Sequence, residues 1–168
     1  MNDKETAVPG FEPTDPWKSE DVIVRRRNLP HFEIEGATYF VTFRCKTGTE
    51  LQPAAKDIVL QNIRASDGDS IDLDAAVVMS DHVHAIFRLI GSHGLSGVLQ
   101  SIKGRSSRLI NKQLGIEGSV WMDESFDRII RKTEDLKAKL EYLRDNPVKK
   151  GLASEPSKYK WLFVRSYE

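Results

Sequence analysis

Apolar positions in this chain change their spacing several times, and each change predicts an element. Ala37 to Phe43 is dense in β-branched and aromatic residues and predicts a strand. Pro53 then opens a stretch in which Ile58, Val59 and Ile63 recur at helical spacing, so a short amphipathic helix is expected to end near Ser66. Asp67-Gly68-Asp69 is a turn signal. The segment from Ile71 to Ile90 is largely apolar, and Ser80-Asp81 is read as a tight turn dividing it into two strands. Leu95, Val98, Leu99, Ile102, Leu109, Ile110 and Leu114 follow at helical spacing, predicting a long helix to about Gly115. Val120-Trp121 and Phe126 to Ile130 read as a short strand region. A last helix is expected from a Thr133 cap, with Glu134 and Asp135 in its first turn, through Leu136, Leu140 and Leu143 to Asn146, where Pro147 ends it. Tyr159, Trp161 and Phe163 lie in a tail expected to pack on the sheet. The succession strand, helix, strand, strand, helix, strand, helix is an α+β plan. It predicts a ferredoxin-like or RRM-like antiparallel sheet with helices on one face, plus a C-terminal helix.

Composition narrows the setting. With 168 residues, one domain with a usable core is expected over residues 25–168, behind a polar, proline-containing mobile tail at 1–24. Basic and acidic residues balance at 25 each, so net charge gives no argument about nucleic acid and only local clusters can. The single cysteine, Cys45, excludes an internal disulfide and suits a reducing cytoplasm. No apolar run reaches the roughly 18 residues of a membrane span, and the polar start suggests no signal peptide and no membrane partner.

The candidate chemistry sits in two places. His82-Val83-His84 opens the second strand of the Ile71–Ile90 pair, and residues two apart on a strand leave the same face. Two imidazoles held that way can chelate one metal ion; alternatively, they pack in a half-buried sheet and bond to backbone. On the last helix each residue turns by roughly 100°. Leu136, Leu140 and Leu143 then form a stripe about 60° wide, with Tyr142 about 200° and Asn146 about 240° from Leu140. Tyr142 and Asn146 are therefore expected one turn apart on a face turned away from the leucines. The asparagine could add an oxygen ligand and leave the phenol beside the metal. Such a site suits Mn²⁺, or a Mg²⁺ that keeps several waters. The ion would polarise a phosphodiester while Tyr142 attacks phosphorus. Lys103, Arg105, Arg108 and Lys112, with Ser101, Ser106 and Ser107, make a basic helix face suited to a phosphate backbone, or an ordinary solvated one. Arg25-Arg26-Arg27 reads as an arm for phosphates and unpaired bases, or as a solvated run. Arg128 and Arg131 add basic charge near the last strand.

Met79-Ser80-Asp81-His82-Val83-His84, together with Tyr142-Leu143-Arg144-Asp145-Asn146-Pro147-Val148-Lys149-Lys150-Gly151-Leu152, resembles the single-tyrosine HUH transposases. The resemblance is strongest to the IS200-like, REP-associated tyrosine transposases. Arg26-Arg27-Asn28-Leu29-Pro30-His31, Gly36 to Arg44, and Phe126-Asp127-Arg128-Ile129-Ile130-Arg131 resemble that family in the same order, so the likeness runs from about Arg25 to Phe163. Two departures are Ser80, where proline is expected before Asp-His, and Met122, where glutamine commonly follows the tryptophan. The resemblance implies a ferredoxin-like sheet and metal-dependent cleavage and rejoining of single-stranded DNA through a 5′-phosphotyrosine. It implies palindromic repeats that fold into hairpins as substrates. By position, His82, His84 and Asn146 become ligands of Mg²⁺ or Mn²⁺, and Tyr142 becomes the nucleophile. The assembly is expected to be a monomer or a homodimer. Two other readings compete. A non-catalytic RRM-like module would stack bases on Tyr39, Phe40 and Phe43. A metal-dependent hydrolase would cut a small phosphoester without a covalent adduct.

Overall fold

A computed structural model of the chain describes residues 8–13, 23–26 and 30–166. β1 (Ile23–Arg26) and β2 (Pro30–Glu33) form an antiparallel hairpin that the apolar pattern did not announce. The main body follows as β3 (Thr38–Cys45), α1 (Pro53–Ala65), β4 (Ile71–Val78) and β5 (His82–Leu89). It continues with α2 (Leu95–Leu114), β6 (Trp121–Ile130), α3 (Thr133–Lys149) and β7 (Leu162–Val164). The sheet order is β6-β3-β5-β4-β7, antiparallel throughout. The β3-α1-β4-β5-α2-β6 part of it is the expected ferredoxin-like arrangement.

Strand alternation assigns the two sheet faces. Tyr39, Val41 and Phe43 of β3 and Val83, Ala85 and Phe87 of β5 point one way. They pack on Ala55, Val59 and Ile63 of α1 and on Leu95, Val98, Leu99, Ile102 and Ile110 of α2. Each large apolar side chain among them contributes about 1.5–3 kcal/mol by leaving water, so this is the main core. Phe40, Ala75, Val77 and Ile86 point the other way, onto Leu136 and Leu143 of α3. The first two helices therefore share one face, as expected, and α3 covers part of the other.

Three local expectations are corrected. Thr133 is the first residue of α3, not its cap; Lys132 holds the cap position and makes no side-chain cap bond, leaving Glu134 and Asp135 to complement the dipole. Pro147 lies inside α3. In the last turn a proline forfeits only its own N–H. The chain continues, with Lys150 N–H donating to Asn146 O at 3.0 Å and Leu152 N–H to Pro147 O at 2.8 Å. Third, part of the tail expected to be mobile lies on the protein: Val8 and Phe11 pack against the α3-side cluster, and Arg88 donates to the Gly10 carbonyl. Residues 1–7 and 14–22, and Arg27, lie outside the described residues. The C-terminal aromatics do pack as expected, and β7 adds itself to the free edge of β4. Among the described residues no helix is long and apolar enough to cross a membrane.

Candidate active site

The start of β5 is fixed by its turn. Met79 N–H donates to His82 O at 2.8 Å, closing the turn on itself. Cys45 N–H donates to Asp81 O at 2.8 Å and Leu51 N–H to Ser80 O at 2.6 Å, clamping the turn to the end of β3. Ser80 joins this clamp through its carbonyl, which any residue supplies, so its departure from the expected proline leaves the turn intact; its hydroxyl in addition accepts from Lys56 Nζ at 3.5 Å. The alternation of β5 then sends Val83 into the main core, while His82 and His84 project on the α3 side with ring centroids 4.7 Å apart.

Both rings are held by Nδ1. His82 Nδ1 lies 2.6 Å from Asp81 Oδ1, and His84 Nδ1 lies 2.7 Å from Thr42 Oγ1. His84 Nε2 is buried and has no hydrogen-bond partner, although an orphaned polar atom of this kind costs about 1–3 kcal/mol. Phe40 stacks on the same ring at 5.4 Å and 25°. Burial above all, helped by the positive charge of His82, Arg44 and Lys139, pushes the His84 imidazole down to about 3. The ring is therefore neutral at ordinary pH, the state a metal requires. The hydrogen bond from His82 holds the Asp81 carboxyl below the usual carboxylate range.

α3 brings the phenol to this pair. The Tyr142 ring lies 5.5 Å from His84 and 6.1 Å from Phe40, and the residue is 44% exposed. Asn146, one turn on, is buried beside the leucine stripe together with Leu143 and Pro147. The expectation of a face turned away from the leucines is thus corrected: Tyr142 and Asn146 flank the stripe, Tyr142 against Phe40 and His84 of the sheet and Asn146 buried. Lys139 sits three residues earlier on the same shoulder, its Nζ 4.8 Å above the Phe40 ring and 5.7 Å from that of Tyr142. Its spacing from Tyr142 was the one signal that could have revealed it.

Other tyrosines are poorly suited to attack. Tyr39 Oη accepts from Ile34 N–H at 2.7 Å, and burial pushes its phenol up to about 12. Tyr159 Oη donates to Val78 O at 2.8 Å and burial raises it likewise to about 12. Tyr167 lies outside the described residues. The aromatics assigned to an RRM-like surface are not presented either: Tyr39 and Phe43 face the main core, and Phe40 lies beneath His84.

Among the described residues no group of three or more His, Cys, Asp or Glu is placed to hold a metal ion. The orphaned His84 Nε2 and the Nδ1 anchoring of both rings fit such an ion: anchoring one nitrogen leaves the other as the free donor.

The basic residues separate into groups. Arg105, Arg108 and Lys112 are exposed on α2, on the side of the sheet away from Tyr142. Lys103 instead reaches β6, donating to Asp123 O at 2.9 Å and Ser125 Oγ at 3.2 Å. Ser106 and Ser107 are buried: Ser106 Oγ accepts from Trp121 Nε1 at 2.9 Å, and Ser107 Oγ accepts from Val120 N–H at 3.2 Å. These two hydroxyls therefore serve the α2–β6 joint and not a phosphate backbone. Arg25 and Arg26 belong to β1, Arg131 is exposed just after β6, and Arg128 is exposed on β6 itself.

A family model for IS200-like transposases matches residues 41–145, more than half of the chain. The chain belongs to the IS200-like transposase family. It is accordingly an enzyme of DNA strand transfer. Among solved structures, a REP-associated tyrosine transposase bound to a REP hairpin is 22% identical, covers 82% of each chain and superposes with a TM-score of 0.67, which shows a shared fold. A crystal structure of a transposase candidate from Deinococcus radiodurans R1 is 20% identical over 73% of this chain and 95% of that one, at a TM-score of 0.45. No curated protein matches. The matched span of this transposase contains both histidines and Tyr142, and stops one residue short of Asn146.

Proposed function

We propose that this transposase cuts and rejoins single-stranded DNA beside palindromic, REP-like hairpins through a covalent 5′-phosphotyrosine at Tyr142. The observation that carries the reading is the buried, partnerless His84 Nε2, in a ring held from its other nitrogen and placed 5.5 Å from the only described tyrosine that is substantially exposed. His82, His84 and Asn146 would hold a divalent ion, Mg²⁺ or Mn²⁺. When bound, the ion polarises the phosphodiester and offsets charge in the transition state.

The chain's own residues supply the rest. Asp81 and Thr42 orient the two imidazoles, so that neither must reorganise during reaction. Tyr142 Oη forms the new bond to phosphorus while the bond from phosphorus to the 3′ oxygen breaks. The upstream strand leaves as a 3′-hydroxyl, taking up a proton in place of the one lost by the phenol. Attack by a 3′-hydroxyl on the phosphotyrosine reverses the exchange and releases Tyr142, which makes rejoining possible. Lys139 brings a cation to the same spot, suited to an anionic phosphate. Arg105, Arg108 and Lys112 give sequence-independent hold on a hairpin stem, since phosphate contacts position a duplex without specifying it, and Arg25 and Arg26 belong to the arm suited to the unpaired flank.

The test uses end-labelled oligonucleotides with a palindromic stem and unpaired flanks, incubated with Mn²⁺ or Mg²⁺ and run under denaturing conditions. A covalent protein–DNA band that disappears in Tyr142→Phe and on chelation is expected. Cleavage without a covalent band would favour a hydrolase instead.

A further inference from the structure

The exposed basic side chains of α2 and the tyrosine of α3 lie on opposite faces of the sheet. β6, paired on one side only among the described residues, is a sheet edge that α2 contacts, next to the β3 strand whose Phe40 meets Tyr142. This edge offers DNA a route from one face to the other. On that route stands Phe126, 52% exposed and without a ring partner among the described residues.

The register fixes which way it points. Phe126 is directly opposite Thr42, and Thr42 is directly opposite His84. Residues directly opposite share a face, and the 2.7 Å contact of Thr42 Oγ1 with His84 Nδ1 confirms it for that pair. Phe126, Thr42 and His84 therefore form one row across the catalytic side. At about 4.8 Å per strand, the Phe126 backbone stands roughly 10 Å from that of His84. In the next row Arg128 lies opposite Phe40; it is exposed and makes no ion pair among the described residues. On the other side Arg44 lies opposite His82, 57% exposed at its side chain and 3.6 Å from Asp81. An open aromatic ring thus stands between two guanidinium groups, beside the proposed cleavage site. Unpaired nucleic acid is held by this combination, because every base offers a π-face and every link a phosphate.

We propose that Phe126 is the stacking platform for one unpaired nucleotide flanking the scissile phosphate, with Arg44 and Arg128 taking the phosphates on either side. The assignment rests on Tyr142 as the nucleophile. Phe126 is then a positioning residue, which holds the strand in register with the tyrosine. Its contribution to folding is limited, since about half of the residue is in water.

The experiment places 2-aminopurine singly at each unpaired position of hairpin oligonucleotides and compares the full chain with Phe126→Leu and Phe126→Trp. One flank position should change fluorescence on binding to the natural chain, lose the change with Phe126→Leu and regain it with Phe126→Trp. The KM for adduct formation should rise roughly five- to a hundred-fold in Phe126→Leu, with kcat nearly kept and melting temperature unchanged. Trp should restore KM. An unchanged KM in Phe126→Leu, or identical fluorescence at every position in both proteins, overturns the proposal. So does a shift of oligomeric state in Phe126→Leu without either effect, which would make the ring a contact between copies. If the natural chain forms no adduct at all, the nucleophile assignment fails, while the fluorescence arm still reports on Phe126.

Discussion

The two faces of the central sheet are built from the same strands and obey different rules. Along β5, Val83, Ala85 and Phe87 enter a dry core beneath α1 and α2, while His82 and His84 turn toward α3. On the first face Tyr39 Oη is tied to the Ile34 backbone. On the second, His84 Nε2 is left buried without a partner. Strand alternation allows this division: a side chain on one face can be placed for chemistry while its chain neighbours, on the opposite face, secure the fold. The packed face bears most of the stability and holds the strand in place beneath the two histidines.

Two tyrosines give the sharpest way to break this comparison. Tyr142→Phe should abolish the covalent DNA adduct and leave thermal stability unchanged, since its ring is half in water. Tyr39→Phe should do the reverse: it removes the partner of a buried backbone N–H and lowers stability by about 1–3 kcal/mol, with the adduct retained. Chemical denaturation paired with a denaturing gel reads both. An adduct in Tyr142→Phe, or its absence in a folded Tyr39→Phe, would erase the distinction between faces.

Asn146 should come next in size. Asn146→Ala is expected to weaken divalent-ion affinity by roughly ten- to a hundred-fold, so that excess Mn²⁺ restores much of the missing cleavage. Titration of adduct formation against Mn²⁺ checks it, and an unchanged midpoint would remove Asn146 from the ligand set.

The orphaned imidazole predicts a pH effect on the metal-free protein. The folded chain holds His84 near 3, below the ordinary value of 6.5, so the unfolded chain binds the extra proton between these values. Stability is therefore full above about pH 6.5 and falls as pH drops toward 3, by up to about 1.4 kcal/mol per unit from this residue. His84→Leu should flatten that part of the curve. Urea unfolding across the range in chelator measures the slope, and equal slopes in both proteins would contradict a buried neutral ring.

The smallest effect concerns the far side of the molecule. Changing Arg105, Arg108 and Lys112 together to Ala should lower the salt slope of hairpin binding by roughly 0.9 for each duplex phosphate no longer neutralised, and leave the adduct rate at saturating DNA unchanged. An unchanged slope would show that the DNA does not cross from the catalytic side to α2.

The sequence by itself determined the strand and helix order, because β-branched runs and the helical spacing of leucines and isoleucines report local backbone preference and one-sided burial directly. It also determined His82 and His84 as a pair on one face, since period-two alternation needs only local geometry, and it placed Tyr142 and Asn146 one turn apart. Tertiary structure alone decided the rest. The partners Asp81, Thr42 and Phe40 of the two imidazoles are set by strand register and by the clamped turn, and Lys139 and Phe126 acquire a setting only when α3 and β6 meet the same sheet face. Ser106 and Ser107 read as polar helix positions yet are buried, because β6 supplies the hydrogen bonds that offset their desolvation. The β1–β2 hairpin and the run of α3 past Pro147 escaped the pattern for a common reason: both are held by hydrogen bonds, in pairings that the order of apolar residues does not encode.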